Sequence, residues 1–132
     1  MKVLIADDSS TIRMILKGLL KQLQITETIE ASDGKAALET LSQNKVDLVL
    51  LDIHMPNMDG LSALQAIKQA SGTASLPVII ISSDTTASQI ESAQTLGAHA
   101  YIKKPFRIEG LREALTAAFP SMSFPAPQAG SK

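Results

Sequence analysis

A chain of 132 residues is enough for one domain with a sizeable buried core. Its 45% apolar and 19% charged content is that of an ordinary soluble globular protein, and a net charge of −1 offers no electrostatic footprint for nucleic acid or an acidic membrane surface. The absence of cysteine excludes disulfide frameworks and thiol chemistry, and no apolar stretch reaches signal-peptide or membrane-spanning length, so a cytoplasmic protein is expected.

Val3 to Ala6 reads as a short buried strand closed by Asp7-Asp8. Ser9 and Ser10 are good helix N-caps, and Ile12, Ile15, Leu16, Leu19, Leu20 and Leu23 recur at three- and four-residue spacing. A helix from Ser10 to Leu23 is predicted to bury that stripe, with Arg13, Met14, Lys17 and Lys21 on the other side. Thr28 to Ala31 is a weaker, more polar strand suited to a sheet edge; Asp33-Gly34 turns the chain into a second helix carried by Ala36, Ala37, Leu38 and Leu41. Leu48 to Leu51 is an unbroken apolar run, the mark of a strand covered on both faces, and it stops at Asp52.

Pro56, Asn57, Asp59 and Gly60 supply turn chemistry before a third helix on Leu61, Leu64 and Ile67. Val78 to Ile81 is a fourth strand running into Ser82-Ser83-Asp84. A weak helix follows from Thr86 to Leu96, anchored only by Ile90, Ala93 and Leu96 and ended by Gly97. Ala100 to Lys103 is the last strand, Lys104-Pro105-Phe106 its exit, and Ile108, Leu111, Leu115 and Phe119 mark a fifth helix. Residues 120–132 are rich in Pro, Ser and Ala without useful period and read as a flexible tail or the start of a linker after a domain spanning 1–119.

Five strands alternating with five helices imply a doubly wound parallel α/β sheet, and the order 2-1-3-4-5 fits best. All strand ends then share one edge. The first strand ends in Asp7-Asp8, the third in Asp52, the fourth in Ser82-Ser83 and the fifth in Lys104, so acids, hydroxyls and an ammonium converge. Three carboxylates brought together raise at least one pKa unless a cation sits among them. An all-oxygen set suits Mg²⁺ better than zinc. Mg²⁺ with carboxylates, a lysine and a hydroxyl is equipment for a phosphoryl group, and Asp52, on the central strand, is the natural nucleophile for an acyl phosphate. Asp7 and Asp8 form the metal side.

Asp7-Asp8-Ser9, the run from Asp52 to Gly60, Ser82-Ser83, Tyr101 and Lys104-Pro105-Phe106 resemble the receiver domain of two-component response regulators, over residues 2 to 119. The resemblance implies a flavodoxin-like fold in which Asp52 accepts a phosphoryl group from a phosphohistidine on a sensor histidine kinase. Asp8, Asp52 and the His54 carbonyl would bind Mg²⁺ directly and Asp7 through water, with the His54 side chain toward solvent. Ser82 and Lys104 would bind the phosphoryl oxygens, and Tyr101 would swing inward as Ser82 moves, biasing a two-state element. The Lys104-Pro105 peptide would be cis and would aim the ammonium into the cleft. The fourth helix, fifth strand and fifth helix would form the output face.

Such a protein is a phosphoacceptor that assists its own phosphorylation and dephosphorylation rather than an enzyme. Asp7-Asp8-Ser9-Ser10 with Arg13-Met14 is most like the stand-alone chemotaxis regulators, whose target would be the flagellar motor switch; a receiver cut from a longer regulator is the alternative. A metal-dependent phosphohydrolase would resemble Asp-x-Asp at the nucleophile, where this chain has His54. A flavin or nucleotide module would want a Gly- or hydroxyl-rich phosphate loop after the first strand, where two acids stand.

Overall fold

The computed structural model describes residues 1–84 and 86–124. The elements are β1 (Lys2–Ala6), α1 (Ser10–Gln22), β2 (Glu27–Ala31), α2 (Gly34–Gln43), β3 (Leu48–Leu51), α3 (Gly60–Gln69), β4 (Val78–Ser82), α4 (Ala87–Thr95), β5 (Ala100–Lys103) and α5 (Ile108–Ala118). The strands form one parallel sheet in the order β2-β1-β3-β4-β5, with the polar β2 at an edge as expected.

Side chains alternate across a strand, so the apolar runs feed two cores. Leu4, Ala6, Val49, Leu51, Val78 and Ile80 face Ala37, Ala63, Leu64, Ile67 and Ala93 of α2, α3 and α4. Val3, Ile5, Leu48, Leu50, Ile79 and Ile81 face Leu16 and Leu20 of α1 and Leu111 and Leu115 of α5. Each fully buried Leu or Ile contributes about 1.5–3 kcal/mol, which makes the central strands the rigid part of the molecule.

Ser9 caps α1 by accepting from the Ile12 amide, Asp33 caps α2 through Ala36, and Asp59 caps α3 through Ser62. By contrast, α4 has no side-chain cap bond and buries only Ala93, and the Gln89 Oε1 atom within it is buried without a hydrogen-bond partner. This is the most weakly held helix.

Three local readings change. Ile15 is an exposed residue rather than part of the buried stripe of α1: it lies at the flank, and Leu16, one 100° step further round, takes the inward position. Ser82 belongs to β4 itself, paired in register with Lys103. Beyond α5 the chain first folds back before any tail begins: Phe124 is only 7% exposed, packs into the α1/α5 core, and its carbonyl accepts from Arg112 Nε at 3.1 Å. The remainder of the expected tail, residues 125–132, lies outside the described residues. No helix among the described residues is long and apolar enough to cross a membrane.

Candidate functional site

Sheet register sets the positions of the acids. Ala6 and Leu51 are paired partners on β1 and β3, so Asp7 and Asp52 are the next residues on adjacent strands. The Asp52 amide donates to the Ala6 carbonyl at 2.9 Å, and the Asp7 amide to the Ala31 carbonyl at 3.1 Å, extending the ladder past the last paired residues. Both carboxylates are buried, Asp7 at 2% and Asp52 at 6% exposure. Asp8, one residue further out, is exposed, and one oxygen from each of Asp7, Asp8 and Asp52 falls within 4.8 Å of the others.

Lys104 enters from the far side. The Lys104-Pro105 peptide is cis, the Lys104 amide donates to the Ser82 carbonyl at 2.9 Å, and Nζ lies 3.0 Å from Asp7 Oδ2 and 3.4 Å from Asp52 Oδ1. The first acid is further fixed by the Ser9 amide, which donates to Asp7 Oδ1 at 2.9 Å. Burial, and secondarily the Asp7 charge, push the Asp52 carboxyl above the usual carboxylate range, against the pull of Lys104. Burial alone would lower the Lys104 ammonium; its hydrogen bond to Asp7 and the neighbouring Asp52 charge outweigh that and raise it. An acidic, all-oxygen cluster with one open side and few protein ligands fits a hard, partly hydrated dication.

The loop after Asp52 is folded tightly back on the strand end. A Cβ at Gly60 would overlap the Asp52 carbonyl oxygen, and the Gly60 amide donates to the Ile53 carbonyl at 2.7 Å. Glycine is required there by close approach. Asn57, at φ 66° in the left-handed region, donates to Asp33 Oδ2 at 2.7 Å, and the Gly34 amide donates to the Met58 carbonyl at 3.1 Å. The β3–α3 loop is therefore pinned to the N-terminus of α2.

Ser82 is fully buried and its Oγ accepts the Asp84 amide at 3.1 Å. The Tyr101 hydroxyl donates to the Asp84 carbonyl; burial is the main cause that raises the phenol above its ordinary pKa. His54, with its side chain largely in solvent, places Nε2 3.3 Å from Asp84 Oδ2 across the mouth of the cleft. The Asp84 carboxyl is held below the usual range first by the Thr86 amide, then by the Thr86 hydroxyl.

Asp7, Asp8, Asp52, Ser82 and Lys104 thus gather at one edge, with His54 and Tyr101 at its rim. Two residues join the site without having been marked as part of it by the sequence. Asp84 is the hub of the β4–α4 loop, and an Asp-x-Thr turn after a strand end is a signal that could have marked it. Arg13 was placed on the polar side of α1, yet it reaches back to the Asp7 carbonyl.

Fold and site together fit one class, the phosphoacceptor signalling domains. The chain belongs to the response regulator receiver domain family, which matches residues 3–116. Among its relatives, the chemotaxis protein CheY of Pseudomonas aeruginosa is 38% identical over 119 residues, covering 90% of this chain and 96% of the relative. Among solved structures, the chemotaxis response regulator CheY4 of Vibrio cholerae superposes with a TM-score of 0.82 at 28% identity, covering 89% of this chain and 98% of that one. The Mn²⁺-bound response regulator Rcp1 superposes with a TM-score of 0.77 at 25% identity, covering 95% and 99%. Family membership implies a histidine kinase as phosphoryl donor and a downstream target.

Proposed function

We propose that Asp52 is the phosphoacceptor of a Mg²⁺-dependent switch, with residues 1–119 as the phosphoacceptor unit. The observation that carries this is the position of its carboxylate: buried, at the end of the central strand, 3.4 Å from Lys104 Nζ and clustered with Asp7 and Asp8. Asp8, Asp52 and the His54 carbonyl would hold Mg²⁺, with Asp7 acting through water; bound there, the ion neutralises phosphoryl charge. The Mn²⁺-bound relative supports a divalent cation in this fold.

An Asp52 oxygen attacks phosphorus, the phosphorus–nitrogen bond to the kinase histidine breaks, and the imidazole leaves with a proton, producing an acyl phosphate. Lys104 exchanges its pairing with Asp52 for a phosphoryl oxygen. Ser82 donates its hydroxyl to another, releasing the Asp84 amide. Tyr101, which holds the Asp84 carbonyl, then transmits the movement of the β4–α4 loop to the surface of α4, β5 and α5, the face that meets the target. Water then attacks phosphorus at the same site, the bond from phosphorus to the Asp52 oxygen breaks, and inorganic phosphate leaves the free carboxylate behind, so the domain assists its own dephosphorylation. By likeness to the chemotaxis relatives we assign it a stand-alone cytoplasmic role at the flagellar motor switch.

The test is incubation with acetyl phosphate and Mg²⁺. One slowly lost label per chain on Asp52, absent in Asp52→Asn and absent with EDTA, is expected. Rapid turnover of many equivalents, or labelling of Asp52→Asn, overturns the reading.

A further inference from the structure

We infer that Arg13 is a positioning residue for the metal acids, acting on the peptide that joins them. Its Nη1 donates to the Asp7 carbonyl at 2.6 Å, and that carbonyl belongs to the peptide plane between Asp7 and Asp8. The rotation of this one plane sets the relative directions in which the two side chains leave the backbone.

The Asp7 side chain has other anchors, Ser9 and Lys104. The Asp8 side chain is exposed and makes no hydrogen bond or ion pair among the described residues, so only its backbone can orient it. Arg13 is itself held: Nε donates to Glu30 Oε1 at 2.8 Å, and the Arg13 hydrogen bond is the main cause that holds the Glu30 carboxyl below the usual range, with Lys17 3.5 Å from its other oxygen. Glu30 directly precedes Ala31, whose carbonyl accepts the Asp7 amide. The planar guanidinium fork therefore ties the acidic loop to the end of β2 from the outside, while the ladder ties it from the inside. The Arg13 side chain is only 17% exposed and its bond to the Asp7 carbonyl is partly buried, whereas Glu30 meets it at the surface.

The clamp rests on the acids binding Mg²⁺, and charge gives the test its sign. A cation beside an acidic cluster repels Mg²⁺; by charge alone, removing it tightens metal binding. A clamp predicts the reverse, because freeing the Asp7–Asp8 peptide adds disorder that the metal must remove. Calorimetric titration of the full chain with MgCl₂ is expected to show about fivefold weaker affinity for Arg13→Met, the scale of one ordinary hydrogen bond's net contribution. Arg13→Lys, which keeps the charge but cannot span both partners, is expected to fall between. Unchanged or tighter binding by Arg13→Met overturns the clamp. If that variant does not fold, Arg13→Lys decides: weaker binding at constant charge supports the clamp, equal binding overturns it. A wild-type chain that binds no Mg²⁺ overturns instead the metal reading beneath it.

Discussion

Lys104→Met isolates what the ammonium does for the free domain. Nζ sits 3.0 Å from one buried carboxylate and 3.4 Å from another. At an effective dielectric of about 20, each contact is worth roughly 5 kcal/mol gross. Desolvating the ammonium offsets much of that, and because its side chain keeps 20% of its exposure, a net loss of about 2 kcal/mol is expected rather than the full cost of breaking a buried pair. Unfolding entropy of about 2.1 cal/mol/K per residue gives roughly 0.28 kcal/mol/K for 132 residues, hence a Tm lower by about 7 °C at pH 7 in EDTA.

The pH dependence has a defined sign. Asp52 has a raised folded pKa, so its ionisation costs stability at neutral pH and the cost is relieved as pH falls through that pKa. Without Lys104 the relief is larger, and the gap between variant and wild type narrows toward pH 4. At the alkaline end Lys104, with its raised folded pKa, stabilises the wild type below its unfolded pKa; that contribution fades as pH rises through the folded value. Mg²⁺ narrows the gap at pH 7 by supplying the missing positive charge. Melts followed by circular dichroism at pH 4 and pH 7, with and without Mg²⁺, are the assay. A variant as stable as wild type at pH 7 in EDTA, or a gap independent of pH, would refute the reasoning.

Gly60→Ala is expected to destabilise by more than about 3 kcal/mol or prevent folding, because the new methyl overlaps the Asp52 carbonyl backbone; a soluble variant with wild-type melting would show the loop can give way. Phe124→Ala should cost about 2 kcal/mol in urea denaturation, less than a central Phe because the residue lies at the margin of its core; no change in midpoint would mean the fold-back is not held. Ser82→Ala should still accept label from acetyl phosphate but about tenfold more slowly, one hydrogen bond's worth of barrier; an unchanged rate in rapid-quench measurements removes Ser82 from phosphoryl binding.

Strand alternation made most of this architecture readable in advance. Leu48 to Leu51 carries the mark of a doubly covered strand, and once five strands run parallel, Asp7, Asp52, Ser82 and Lys104 share an edge. What the chain did not disclose depends on long side chains whose partners are distant in sequence. Arg13 sits among polar α1 residues, and no helical periodicity says that its guanidinium turns back to Asp7 and across to Glu30. Phe124 was hidden by its Pro- and Ser-rich neighbours, although a lone aromatic in such a stretch has an apolar surface that must go somewhere. Ile15 erred the other way: an apolar residue at the flank of a stripe is not committed to the core.

The bond from Tyr101 to the Asp84 carbonyl has a practical corollary, because this chain contains one tyrosine and no tryptophan. Excited at wavelengths that its three phenylalanines do not absorb, its near-ultraviolet emission therefore originates from a single phenol touching the loop between β4 and α4. A phenol's brightness responds to whether its proton is shared with an oxygen acceptor. Unlabelled protein in a fluorimeter consequently reports the occupancy of that one contact in real time.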